Sequence, residues 1–90
     1  MAYKVVVEKT AAKTIAKMDA RPRKIILNFL KELAQSSNAR TEFDGKALQH
    51  DKRIWRFRLG HYRVLSDIND KTITITIIKA GHRSKVYEGI

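Results

Sequence analysis

The chain has no cysteine, one proline and four glycines among its 90 residues. Without cysteine it can form neither disulfides nor thiolate metal sites, and a reducing cytoplasm is the expected compartment. No run of apolar residues is longer than three, which excludes the core of a signal peptide and a membrane-spanning helix. These absences predict a soluble cytoplasmic protein that works without a membrane.

Acidic residues are also scarce, with 9 Asp and Glu against 19 Lys and Arg and a net charge of +10. On a body of this size, such a charge attracts anions over a long range. Nucleic acid is the expected partner, and an acidic binding protein would compete for the same surface. The hydrophobic share of 43% is typical of a folded chain, and residues 1–90 are expected to form one domain.

The first half of the chain predicts a strand and two helices. Residues 3–7 are short and β-branched, which favours a strand. Thr10 is expected to cap a first helix that ends near Asp19, and Pro22 suits the first turn of a second helix. The second helix repeats apolar residues at helical spacing, whereas three lysines form a separate stripe on the first: Lys9, Lys13 and Lys17. A polar stretch from Gln35 to Arg40 ends the second helix, and the residues through Gln49 predict a loop held to the core by Phe43 and Leu48.

The second half alternates with a period of two, which predicts a three-stranded antiparallel meander. A two-residue turn at Gly60 and His61, with positive φ at the glycine, would place Arg58 opposite Arg63. A second two-residue turn at Asn69 and Asp70 would place Val64 opposite Ile75, Tyr62 opposite Ile77 and Arg63 opposite Thr76.

Both turns give the same two faces of the sheet. Because the two helices can pack on the apolar face, the sequence predicts an α+β fold. The order is an N-terminal strand, a two-helix hairpin and the meander, with the helices packed on one face. The apolar face has the rows Phe57, Val64, Ile75 and Leu59, Tyr62, Ile77. The opposite face has Arg56, Arg58, Arg63, Thr74 and Thr76, with Leu65 as its one apolar residue.

This polar face is the candidate site. Two arginines opposed across strands destabilise a sheet by about 0.2 to 1 kcal/mol, and a phosphate bound between them would offset that cost. The alternative is that these arginines simply form the solvent-exposed side of a sheet whose other face is buried. No acidic residue stands between Asp51 and Asp67, and the cations there are Lys52, Arg53, Arg56, Arg58 and Arg63, with Lys46 bordering them from the preceding loop. Such a concentration favours an anion site.

The end of the chain adds functional groups near the edge of the same face. Tyr87 can stack on an exposed base, Arg83 can stabilise charge at phosphorus, and His82 can move protons near neutral pH. Lys85 adds a further cation for RNA. The alternatives are that Tyr87 packs with Val86 and that His82 is a turn residue.

Two segments resemble the RelE toxins of the RelE/ParE superfamily. Trp55 to Val64 is similar to the family's W-R-x-R-x-G-x-Y-R pattern, and Gly81 to Tyr87 is similar to its G-H-R…V-Y ending. The resemblance covers nearly the whole chain. It implies the toxin of a type II toxin–antitoxin pair, which cuts mRNA on the ribosome and forms a hetero-oligomer with its antitoxin. The 2′-OH would attack without metal or cofactor and leave a 2′,3′-cyclic phosphate.

The resemblance also implies roles. Arg56 and Arg63 would hold the scissile phosphate, Arg83 would stabilise the transition state or protonate the 5′ oxygen, and Tyr87 would orient the nucleotide. Arg58 stands where the best-known RelE members have the lysine assigned as general base. Since arginine does not readily lose its proton, His61 or His82 would take the proton, or activation would be electrostatic.

Two other functions stay open from the sequence. ParE toxins share the fold but inhibit DNA gyrase, and a basic module could bind RNA or the ribosome without cutting. The three histidines lack zinc-like spacing with carboxylates, so no metal site is predicted.

Overall fold

The computed structural model describes residues 2–87 and confirms the α+β order. The elements are β1 (Lys4–Val7), α1 (Lys9–Ala16), α2 (Ala20–Gln35), α3 (Ala39–Glu42), β2 (Gly45–Ala47), β3 (Ile54–Leu59), β4 (Tyr62–Asn69) and β5 (Thr74–His82). Across residues 2–87, each helix is too short or too polar to cross a lipid bilayer.

Helix α1 begins two residues earlier than the sequence predicts, whereas α2 begins as predicted, with Pro22 in its first turn. Glu8, and not Thr10, is the residue that precedes α1, and its extended backbone allows its carbonyl to accept from Ala12 N–H. Pro22 is the third residue of α2, where a missing N–H leaves no helical hydrogen bond unmade. The apolar stripe of α2 is buried at Ile26, Phe29, Leu30 and Leu33, whereas Ile25, which the spacing also assigns to the stripe, is 45% exposed.

The sheet has five strands in the order β1-β5-β4-β3-β2, with β1 parallel to β5 and the other pairs antiparallel. The prediction of a loop through Gln49 is wrong in two places, because residues 39–42 form α3 and residues 45–47 pair with β3. Gly45 allows this pairing. A Cβ there would lie 2.5 Å from Trp55 Nε1 and 2.7 Å from the carbonyl oxygen of Arg56.

The helices cover one face of the sheet and enclose the main core, as the alternation predicts. Phe57, Val64, Ile75 and Ile77 are fully buried beneath them. The ring of Phe29 on α2 lies 5.1 Å from that of Phe57, centroid to centroid. The opposite face of the sheet therefore has no helix above it within residues 2–87.

The predicted pairing is confirmed between β3 and β4 but wrong between β4 and β5. Gly60 has φ 61, as the expected hairpin turn requires, and Arg58 is opposite Arg63. At the second turn the side chain of Asn69 accepts from the N–H groups of Lys71 and Thr72, which stabilises a longer loop. Asn69 consequently pairs with Thr74, and β5 is shifted by four residues relative to the prediction.

That shift leaves Ser66 opposite Ile77, Asp67 opposite Thr76 and Ile68 opposite Ile75. Because side chains alternate with a period of two, an even shift changes the partners but keeps each residue on its predicted face. The assignment of faces is therefore right for Ile75, Ile77, Thr74 and Thr76.

A β-bulge in β5 then reverses the alternation for the end of the strand. Leu65 pairs with Lys79 whereas Ser66 pairs with Ile77, so Ile78 has no partner in β4. One extra residue exchanges the two faces for everything that follows. Ala80 and His82 therefore lie on the helix side, and Lys79 and Gly81 lie on the opposite side.

Candidate nucleic-acid interface

The register places the three central arginines on one side of the sheet, which we call the arginine face: Arg56, Arg58 and Arg63. The first row across this face contains Lys46, Arg56, Leu65 and Lys79, each paired with the next. The second row contains Arg58, Arg63 and Gly81. Guanidinium groups from two adjacent strands are thus brought together, as the alternation predicts.

Arg56 is the central cation and is half-buried. One terminal nitrogen, Nη1, donates to the hydroxyl of Tyr87 at 3.2 Å. Its Nε is buried and has no hydrogen-bond partner. A buried donor without a partner costs about 1 to 3 kcal/mol, so a side-chain movement that brought this nitrogen to an anionic oxygen would be favoured.

The other two arginines are held by different contacts. Arg58 Nε lies 3.4 Å from a carboxylate oxygen of Asp44, and both side chains are well exposed, so the ion pair is weak. Arg63 donates to the carbonyl oxygens of Gly60 at 2.7 Å and Tyr62 at 2.9 Å, which holds it beside the hairpin turn. Neither guanidinium is enclosed with a carboxylate.

The segment after β5 closes one end of the arginine face. Arg83 N–H donates to the carbonyl of His61 at 2.7 Å, which ties the segment to the β3–β4 turn, and the Arg83 side chain is exposed. Val86 is buried beside Gly81. Packing of Val86 brings Tyr87 to Arg56, with 37% of the tyrosine still exposed for a nucleotide.

The two histidines considered for proton transfer lie elsewhere. The ring of His82 contacts that of Tyr62, which packs on the main core, at 5.6 Å between centroids. The ring of His61 stacks on His82 at 6.2 Å. The expectation that His82 lies near the edge of the arginine face is wrong, because the bulge at Ile78 turns it to the helix side.

The remaining predicted cations are distributed unevenly. Lys46 is directly opposite Arg56 and belongs to the arginine face. Lys52 and Arg53 are exposed in the loop before β3, where Arg53 Nε is 3.9 Å from Asp51. Lys85 is exposed in the tail. The sequence missed Lys79, since no local pattern signals the bulge that turns it to the arginine face.

The side chains whose pKa values are shifted lie beside the β4–β5 loop, away from the arginine face. Asp70 accepts from Arg40 at 3.1 Å and from Tyr3 at 2.6 Å, and these hydrogen bonds lower the pKa of the Asp70 carboxyl. The same bond to Asp70 raises the pKa of Tyr3. This network connects β1, α3 and the β4–β5 loop and has a structural role. Within residues 2–87, no three His, Asp or Glu side chains are grouped so that they could hold a metal ion.

A mixed five-stranded sheet with helices on one face is the fold that this chain shares with solved RelE toxin structures. The chain belongs to the ParE toxin family of type II toxin–antitoxin systems, whose family model matches residues 5–87. No curated protein sequence matches the chain.

Solved structures of RelE toxins share the fold. The chain aligns with the RelBE2 toxin–antitoxin complex of Mycobacterium tuberculosis with a TM-score of 0.77 and 25% identity, covering 94% of this chain and 95% of that one. For the archaeal RelE–RelB complex of Pyrococcus horikoshii, the TM-score is 0.76 and the identity 29%, with coverage of 94% and 99%. The isolated RelE toxin of E. coli is 22% identical with a TM-score of 0.72, covering 96% and 92%, which shows the fold alone.

Proposed function

We propose that this toxin is a ribosome-dependent mRNA endoribonuclease of the RelE type. The observation that carries the proposal is the half-buried Arg56, whose Nε is left without a partner while Nη1 bonds to Tyr87. The opposed pair Arg58 and Arg63 lies in the next row of the same face. This arrangement is costly for an isolated sheet and favourable when a phosphodiester is bound.

The chemistry proposed is an internal transfer at phosphorus. The 2′-oxygen of the ribose forms a bond to phosphorus, the bond from phosphorus to the 5′ oxygen breaks, and a 2′,3′-cyclic phosphate remains. Arg56 and Arg63 bind the non-bridging oxygens, on which negative charge accumulates. Arg83 stabilises the negative charge on the leaving 5′ oxygen, which takes its proton from solvent, and Tyr87 orients the nucleotide. Lys46, Lys52, Arg53 and Lys85 bind the flanking RNA backbone.

Activation of the 2′-OH is proposed to be electrostatic. Arg58 cannot accept a proton, and the structure has His61 and His82 on the helix side of the sheet. Cations around the attacking oxygen stabilise the developing alkoxide, so that its proton can pass to solvent. Rate then depends on the number of guanidinium groups more than on one titrating base.

The proposed regulator is an antitoxin. The solved relatives from M. tuberculosis and P. horikoshii are toxin–antitoxin complexes. We infer that an acidic antitoxin forms a hetero-oligomer with this chain in the cytoplasm and covers the arginine face. Its carboxylates would replace the phosphate at Arg56 and abolish binding of mRNA.

The experiment is primer extension on a message translated by purified ribosomes, with the chemistry of the cut ends determined. Wild-type protein is expected to give ribosome-dependent cuts with 2′,3′-cyclic phosphate ends. Arg83→Ala should reduce cutting at least about 100-fold, the usual effect of losing one transition-state donor. Lys71→Ala, in the distant β4–β5 loop, is the matched control. Undiminished cutting by Arg83→Ala would remove that residue from the mechanism.

A second candidate function is inhibition of DNA gyrase, as in ParE toxins. It is favoured by the match of the ParE family model to residues 5–87 and by arginine at position 58. Gyrase-linked DNA breaks without mRNA fragments would establish this function instead. Ribosome or RNA binding with neither product would indicate the non-catalytic module.

A further inference from the structure

A second basic surface lies on the helix side of the molecule, on α1. We call it the lysine stripe: Lys9, Lys13 and Lys17, all exposed. α1 buries Ala11 and Ile15 against the sheet. At about 100° per residue, the three lysines centre about 180° from that buried side. They therefore face directly away from the sheet, and from the arginine face beyond it.

The like charges of the lysine stripe reduce the stability of α1. Like charges at i and i+4 destabilise a helix, and Lys9 lies in the first turn, where the helix dipole is already positive, whereas Lys13 in the last turn and Lys17 at the C-cap are favoured by the dipole. The first turn has no acidic residue. The ion pairs found among residues 2–87 are Arg40–Asp70, Arg53–Asp51 and Arg58–Asp44, so none neutralises the stripe. Such departures from local consistency are typical of functional surfaces.

The neighbouring helix extends this positive surface. Arg21, Lys24 and Lys31 are exposed on α2. The lysines of α1 succeed one another about 6 Å apart along the helix axis. A regularly spaced row of charges of this kind matches a polyanion with repeating charge better than a single small anion.

We propose that the lysine stripe binds the phosphodiester backbone of double-stranded RNA, as a site separate from the arginine face. Lysine binds phosphate as a point charge. Protein interfaces are depleted in lysine and enriched in aromatic residues. The exposed side chains between the lysines of the stripe are small, Ala12, Thr14 and Ala16, and the aliphatic Leu27 of α2 lies exposed beside them. A membrane would need a stripe of aromatic anchors, and single-stranded RNA would need stacking rings.

The inference goes beyond the proposed nuclease activity. Two basic surfaces on opposite sides of the sheet can contact two separate stretches of RNA at once, one positioned for chemistry and one holding the toxin on folded RNA. Contacts to phosphates fix position and orientation without reading sequence. The lysine stripe accordingly adds affinity and not cleavage specificity.

The test is fluorescence anisotropy with a blunt RNA duplex of about 20 base pairs at 50 and 200 mM salt. Lys9→Gln with Lys13→Gln is compared with Lys4→Gln with Lys71→Gln, which removes the same charge at exposed positions away from the helices. Glutamine is a good helix former, so α1 is retained, which circular dichroism can verify. Each duplex phosphate contact contributes about 0.9 to the salt slope.

Losing two contacts should lower the slope of log affinity against log salt concentration by about 1.8. Between 50 and 200 mM salt, the affinity of wild-type protein should therefore fall by a factor about 12 times larger than that of the Lys9 and Lys13 variant. The Lys4 and Lys71 variant should keep the wild-type slope. Equal effects of the two variants would overturn the proposal, because net charge alone would then explain binding. The proposal would also be overturned if the Lys9 and Lys13 variant bound the duplex as tightly as wild-type protein does but no longer bound an acidic protein. Failure of the nuclease proposal is separate, since it appears as absent mRNA cuts with duplex binding intact.

Discussion

Replacing Arg56 by methionine is expected to stabilise the protein while abolishing its proposed activity. The change removes the buried Nε that has no partner, worth about 1 to 3 kcal/mol. It also removes the like charge directly opposite Lys46, worth about 0.2 to 1 kcal/mol. The substitution also loses the exposed hydrogen bond to Tyr87, which contributes about 0.5 to 1.5 kcal/mol of stability. Methionine retains an unbranched apolar side chain next to Leu65.

The net gain in the free energy of unfolding is about 1 kcal/mol, which corresponds to a rise in Tm of about 4 to 8 °C for a domain of this length. Urea and thermal unfolding of Arg56→Met measure it. The control is Arg58→Met, whose guanidinium is exposed and whose stability should change by less than about 0.5 kcal/mol. A loss of 1 kcal/mol or more in Arg56→Met would refute the reasoning, because Nε would then have to be satisfied in the free protein.

Three further predictions concern other parts of the molecule. Gly45→Ala should destabilise the protein by about 1 to 3 kcal/mol in urea unfolding, since its Cβ would meet the backbone of β3 at 2.7 Å. The hydrogen bonds to Asp70 lower its pKa, so they stabilise the fold at pH 7, and this stabilisation is lost below about pH 4. The free energy of unfolding of Asp70→Asn should therefore be lower than that of wild type at pH 7 and equal to it only in acid, as urea unfolding at both pH values can measure. His82→Gln should keep its mRNA cleavage within about threefold and leave the pH profile unchanged, whereas a 100-fold loss would assign it the proton transfer.

The faces of the sheet and the helix stripe could be read from the sequence because they are local properties. Alternation with a period of two assigns Phe57 and Val64 to the core and Arg58 and Arg63 to the opposite side, whatever the strands pair with. Gly60 supplies the positive φ that places those two arginines opposite each other. The composition alone also pointed to an anionic partner.

Only the tertiary structure decided the pairing of β5. An even shift in register leaves the pattern of faces unchanged, so the alternation cannot distinguish one such register from another. The hydrogen bonds of the Asn69 side chain favour the longer loop, and with it the observed register. The bulge at Ile78 then moved Lys79 to the arginine face and His82 away from it, through backbone pairing with a distant strand. β2 likewise depends on the contact of Gly45 with Trp55, which no neighbouring residue specifies. Local periodicity thus determined which residues could form the site, and long-range strand pairing determined which of them meet.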